Sequence, residues 1–136
     1  MIISATFMPK KWDEKTYAQL SPHTKLTRTQ AEFGYSGGLQ GNGAVEYLMF
    51  YSSYDEKDPH KATAEYAGLI RFEGSVEGKS GSCVIEERGA FADAAAKSTL
   101  RILPGSGTGE LAGIAGGGTS LATPKSCRVD LDIRLP

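Results

Sequence analysis

The chain has 136 residues, enough for one domain with a true core and too few for two ordinary ones. Fifteen basic against sixteen acidic side chains leave a net charge of −1, and no lysine or arginine block is present to neutralise a row of phosphates, which argues against a nucleic-acid partner. The opening "MIISATFMPKKW" has its lysines after an apolar stretch too short for a signal peptide, and no other run approaches membrane-spanning length; the expectation is a soluble cytoplasmic protein with no membrane partner.

Alternation of apolar and polar side chains, the mark of a half-buried strand, appears in chain order at Ile2–Met8, Thr24–Tyr35, Asn42–Tyr51, Thr63–Phe72, Ser80–Gly89 and Lys97–Leu103. It closes in "VDLDIRLP", where Val129, Leu131, Ile133 and Leu135 face one way and Asp130, Asp132 and Arg134 the other. Glycine, proline or a charged cluster ends each run. Helix is expected only as a short turn in "KKWDEKTYAQL" and in "FADAAAKS", both of marginal length. Many short antiparallel strands with sheet edges to hide predict an all-β domain spanning residues 1–136, a closed barrel or a sandwich of about seven or eight strands.

The glycines repeat. Gly37-Gly-Leu39-Gln-Gly41, Gly74-Ser-Val76-Glu-Gly78 and Gly109-Glu-Leu111-Ala-Gly113 share the form G-x-apolar-x-G, with first glycines 37 and then 35 residues apart. Successive β-hairpins account for such a period, each turning tightly at x-Gly. The dense run "PGSGTGELAGIAGGG" also contains the GxGxxA form of a dinucleotide fingerprint. Only 27 residues follow Gly109, however, too few for the rest of a mononucleotide-binding half, so the run is expected to be a third hairpin turn and no cofactor is expected.

A turn at Glu77-Gly78 pairs Val76 with Lys79, Phe72 with Cys83, Ile70 with Ile85 and Gly68 with Glu87 on one face, which is the interior because its pairs are mostly apolar. The same geometry at Gln40-Gly41 sets Tyr35 beside Glu46 and Phe33 beside Leu48. Joining the two hairpins gives an interior row of Tyr35, Glu46, Gly68 and Glu87, two carboxylates facing each other across a glycine, with Tyr66 nearby. Desolvation and like charge would raise a carboxyl pKa there and leave one group protonated near neutrality, an arrangement fit for acid–base work. On this register Val45, Tyr47, Met49 and Tyr51 point outward. An apolar, aromatic exterior of that kind predicts a homo-oligomer, with a dimer the favoured form.

Other chemistry finds little to rest on. Cys83 and Cys127 lie far apart and outside any CxxC or zinc spacing, and are read as reduced, buried thiols. His23 and His60 sit in polar loops with no partners at ligand spacing, so no metal is expected. Neither a Ser–His–Asp order nor a GxSxG elbow is present.

Taken together, "WDEKTY", "GLQGNGAVEYLMFY", "GSVEGKSGSCVIEERGAF" and "PGSGTGELAGIAG" resemble a bacterial family of unknown function whose members have an allene oxide cyclase-like β-barrel. The resemblance covers nearly the whole chain and implies a single antiparallel barrel of about eight strands. Related barrels include cyclases that fold a hydrophobic substrate around an interior glutamate, and others that steer the coupling of phenolic radicals without a cofactor. Glu46 matches the family's glutamate in "VEYLM", whereas Ile70 and Glu87 stand where members tend to carry glutamate and histidine. Three functions follow as alternatives. The first is a binding module for a small, largely apolar ligand, walled by Phe33, Leu48, Phe50, Ile70, Phe72 and Ile85 and oriented by Glu46, Glu87, Tyr35 and Tyr66. The second is a cofactor-independent isomerase or cyclase using Glu46 and Glu87 as its catalytic acid and base. The third is a structural or interaction protein with a filled barrel, and the free volume inside decides between it and the other two.

Overall fold

A computed structural model describes residues 1–136. Eight strands form one closed antiparallel barrel: β1 (Ile2–Ser21), β2 (Thr24–Gly37), β3 (Leu39–Ser53), β4 (Thr63–Val76), β5 (Lys79–Ala92), β6 (Ala95–Ile102), β7 (Ala115–Ala122) and β8 (Cys127–Arg134). Each pairs with its neighbours in sequence, and β1 returns to β8 to close the ring. That last seam is short. It joins Ile2–Thr6 to Arg128–Asp132, and beyond Thr6 the long strand β1 pairs only with β2.

Two-residue turns fix the registers best. Glu77 and Gly78, both at positive φ (49° and 83°), make the tight β4–β5 turn, and the expected pairs Val76–Lys79, Phe72–Cys83, Ile70–Ile85 and Gly68–Glu87 all form. Asp93 and Ala94 make a second such turn between β5 and β6, with Ala92 opposite Ala95, so "FADAAAKS" is a hairpin and not a helix. "KKWDEKTYAQL" is likewise strand. It continues β1 to Ser21 through register shifts at Pro9/Lys11, Thr16/Ala18 and Gln19/Ser21.

The β2–β3 hairpin departs from expectation. It pivots at Gly38, so that Tyr35 lies opposite Gly41 and Phe33 opposite Gly43, not opposite Glu46 and Leu48. The partner of Tyr35 thus moves five positions along β3, from Glu46 to Gly41, and an odd displacement exchanges the two faces of a strand. Val45, Tyr47 and Met49 are therefore buried inside, and Glu46, Leu48 and Phe50 lie on the outer surface.

The third glycine motif is not a tight turn. Leu103–Ile114 forms a long connection from β6 to β7, with one 3-10 turn at Gly109–Leu111, and it folds back onto β5. There Thr108 N–H donates to the Ser82 carbonyl (2.9 Å), and the Thr108 and Ser82 hydroxyls bond each other at 2.7 Å. Leu111 and Ile114 enter the core with Ile3, Leu39, Val76, Ile102 and Ile133, so the glycine run is a plug that seals one end of the barrel. Its last glycines begin β7.

Candidate functional site

The barrel is filled at the plugged end and hollow at the other. Phe72, Leu131 and Ile133 are fully buried near the plug. Toward the opposite rim the interior opens into a cavity of about 750 Å³, walled by Phe7, Phe33, Tyr47, Met49, Tyr66 and Phe91, with Trp12, Tyr51 and Tyr54 nearer its mouth. Small residues at Ala62, Ala64, Ala96 and Ala122 leave the room, since their side chains cannot reach across a ring of this size.

Glu87 lies in that cavity, almost wholly buried. Its position follows from the register: Tyr47 on β3, Gly68 on β4 and Glu87 on β5 lie directly abreast. A side chain on Gly68 would start 2.7 Å from Cδ1 of the Tyr47 ring, so its absence lets Tyr47 lean across β4. The Tyr47 hydroxyl then donates to Glu87 Oε1 at 2.6 Å. From the other side Ser98 on β6 donates to Oε2 at 2.7 Å. Because the proton of Ser98 is committed to the carboxylate, Tyr66, 2.5 Å from Ser98 Oγ, must be the donor in that third bond. Two hydroxyls thus donate to the carboxylate directly, and Tyr66 supports it through Ser98.

Two influences oppose each other at Glu87. Burial raises its carboxyl pKa above the ordinary value and is the larger, while the hydroxyls of Tyr47, Ser98 and Ser120 pull it back down. Burial together with the negative charge of Glu87 also holds the Tyr47 hydroxyl far above a normal phenol, and pushes Tyr66 up to about 12. These two tyrosines are fixed proton donors at any physiological pH.

A second carboxylate faces the cavity from a segment that was expected to be helical. On β1 the residues Trp12, Glu14 and Thr16 stand opposite Ala31, Thr29 and Thr27, on the inner face. Glu14 Oε2 accepts from Thr27 Oγ1 (2.9 Å) and from the Tyr51 hydroxyl, and Oε1 accepts from Trp12 Nε1 (3.0 Å). Sequence reasoning missed Glu14, Tyr47, Ser98 and Trp12 as site residues. The signal for Glu14 was the alternation of Trp12, Glu14 and Thr16 against Lys11, Asp13 and Lys15, hidden because only one of the inward three is apolar.

The remaining expected site residues divide. Glu87, Tyr66 and Phe33 line the cavity. Ile70, Phe72 and Ile85 are buried in the filled part of the core, where Tyr35 also packs, its ring 5.7 Å from that of Phe72. Glu46 lies outside, accepting from Gln30 Nε2 at 2.8 Å on the exposed surface, so the expected row of two carboxylates does not form. Leu48 and Phe50 are exposed for the same reason of register. Tyr47 and Met49, which prompted the expectation of an oligomer, are buried and supply no outer surface.

No helix is long and apolar enough to cross a membrane. Comparison with curated proteins finds no match. The crystal structure of a protein of unknown function from Shewanella oneidensis MR-1, itself assigned to the DUF3224 family, superposes with a TM-score of 0.81 over 100% of this chain and 97% of that one, at 20% sequence identity. At that identity the likeness speaks to the barrel alone. The profile of the family described as "Protein of unknown function (DUF3224)" matches residues 3–133, nearly the full length, and the chain therefore belongs to DUF3224.

Proposed function

We propose that the protein binds a small, largely apolar molecule in the hollow end of the barrel. The observation that carries this reading is the cavity itself: about 750 Å³ of space, walled by aromatic side chains, with one buried carboxylate and its hydroxyl donors at a defined depth. Pockets that hold small ligands share that composition, a mostly apolar wall with a few placed polar groups. A neutral, environment-sensitive dye such as N-phenylnaphthylamine should bind with a gain in fluorescence and quench Trp12, the chain's one tryptophan, which stands at the mouth. Ala96→Phe, which fills the hollow, should abolish both signals while the fold is kept. Equal binding by Ala96→Phe would move the site elsewhere.

A second reading rests on the relay of hydroxyls. Tyr66 donates to Ser98, Ser98 to Glu87, and Tyr47 to Glu87 from the other side. A carboxylate raised by burial, next to phenols that stay protonated, has the parts of a cofactor-independent isomerase or cyclase: Glu87 takes a proton from carbon, and a tyrosine hydroxyl steadies the developing oxyanion. Phenylbutanone incubated with the protein in D2O should exchange its α-protons faster than in buffer, followed by NMR. Exchange surviving unchanged in Glu87→Gln would remove Glu87 from this role.

A further inference from the structure

Charge and aromaticity in the cavity select among apolar ligands, and the selection deepens the binding reading above, on which it rests. Glu87 is nearly buried and accepts only from neutral hydroxyls; no lysine or arginine pairs with it. Around the same cavity stand three further acids, Glu14, Asp55 and Glu56, against one lysine, Lys25, and one histidine, His60. An acid in the ligand would meet this field unfavourably. A neutral ligand would strip the last solvent from Glu87 and offer its charge nothing in return, which is the costly way to bury an ion. A cation is favoured on both counts.

The aromatic wall adds a second, independent indication. The face of an aromatic ring attracts a cation, most strongly where water is excluded. This wall already does so within the molecule: the Lys25 ammonium lies 4.2 Å from the centre of the Tyr54 ring and 5.0 Å from that of Tyr51. Deeper in, the rings of Tyr47 and Tyr66 meet edge to face at 5.3 Å beside Glu87, and the Trp12 ring lies 6.1 Å from that of Tyr47.

We propose that the cavity takes an amphiphilic organic cation, an amine whose ammonium group lodges against Glu87 and whose apolar body packs along Tyr47, Tyr66, Phe91 and Trp12. The ammonium donates to a lone pair of the carboxylate that the hydroxyls leave free, the bonds from Tyr47 and Ser98 falling one on each oxygen. Lys25 stays at the mouth and takes no part in anchoring the head group.

Three probes of one skeleton test this on the wild-type protein: phenylbutylamine, phenylbutanol and phenylbutyrate, titrated near neutral pH with Trp12 fluorescence and calorimetry as readouts. The amine should bind at least about tenfold more tightly than the alcohol, the scale of a charge-assisted contact in a desolvated site, and the acid should bind most weakly. Glu87→Gln should bring the amine to within about threefold of the alcohol. Lys25→Met should leave the amine's lead intact. An acid or alcohol that equals or exceeds the amine in wild type overturns the choice of a cation while leaving the cavity a binding site. Failure of all three at millimolar concentration overturns the binding reading with it. The order among the wild-type probes decides the matter even if Glu87→Gln does not fold, and an undiminished lead for the amine in a folded Glu87→Gln overturns Glu87 as the anchor.

Discussion

The two ends of this barrel are made by the same strands and do opposite things. At the plugged end Phe72, Val76, Leu131 and Ile133 interlock with Leu111 and Ile114 until almost no surface is left. At the hollow end the inward positions alternate between large rings and alanines, and two separate hydrogen-bonded groups hold the acids, Glu87 with Ser98 and Tyr66, and Glu14 with Thr27 and Trp12. The difference teaches that stability and function are partitioned along the strand axis. One end supplies the close packing from which folding free energy comes, and it frees the other to keep a cavity and a buried charge.

The largest effect should come from reversing the interior of β3. Tyr47→Glu with Met49→Lys places two new ionisable groups inside the barrel, and the expected outcome is loss of the folded state, seen by circular dichroism, with no folded monomer recovered. A well-folded double variant would return these residues to the outer face. Next, the ends are compared with a single residue type. Phe72→Ala at the filled end should cost about 3–5 kcal/mol in urea denaturation, whereas half-buried Phe91→Ala at the hollow end should cost about 1.5 kcal/mol or less. Equal losses would mean that the cavity wall is as tightly packed as the core.

The effect of Glu87 on stability turns on pH. Burial raises its pKa in the folded chain above the ordinary 4.5, so the folded state binds the proton more tightly than the unfolded one. The stability it lends is full below that ordinary value and is lost as pH rises through the raised one. The melting temperature of Glu87→Gln relative to wild type should therefore become more favourable from pH 4 to pH 8, and a difference that falls over that interval would show the hydroxyl donors to outweigh burial. Smallest is Ala94→Gly at the rim. Ala94 sits at φ 60°, where a side chain is strained, and glycine should gain up to about 1 kcal/mol without altering ligand affinity.

Legibility in the sequence followed the turns. Glu77-Gly78 admits one tight turn, and the register of β4 and β5, with Glu87 inside opposite Gly68, could be read from it. "GYSGGLQGNG" offers glycine at five positions, any of which can bend the chain, and pattern alone chose Gln40-Gly41 where packing chooses Gly38. That choice put Glu46 inside the barrel and Tyr47 outside it, the reverse of where they lie. Strand β1 was half legible, because Lys11–Ser21 carries charge on its outer face and little apolar mass on its inner one. Strand β7, "AGGGTSLA", was invisible: glycines have no side chains to alternate, and its place in the ring is set by backbone pairing with β6 and β8.

The short seam between β1 and β8 has a consequence for the order of assembly. Seven of the eight junctions in the ring are made between strands consecutive in sequence, so they can form as a growing meander while the chain is still being made. The eighth joins the first strand to the last, across a separation of 131 residues between Met1 and Asp132. Its loop-closure entropy is the largest in the molecule, and only the first six residues answer it, Ile2–Thr6 in the ladder and Met1 through its bonds to Ile133. Sealing is therefore expected to come last in folding and to open first. Amide protons of Ile3 and Ala5 should exchange sooner than those of Val45 and Tyr47, and until the seam shuts the cavity is a groove in an open, curved sheet with no inside to offer.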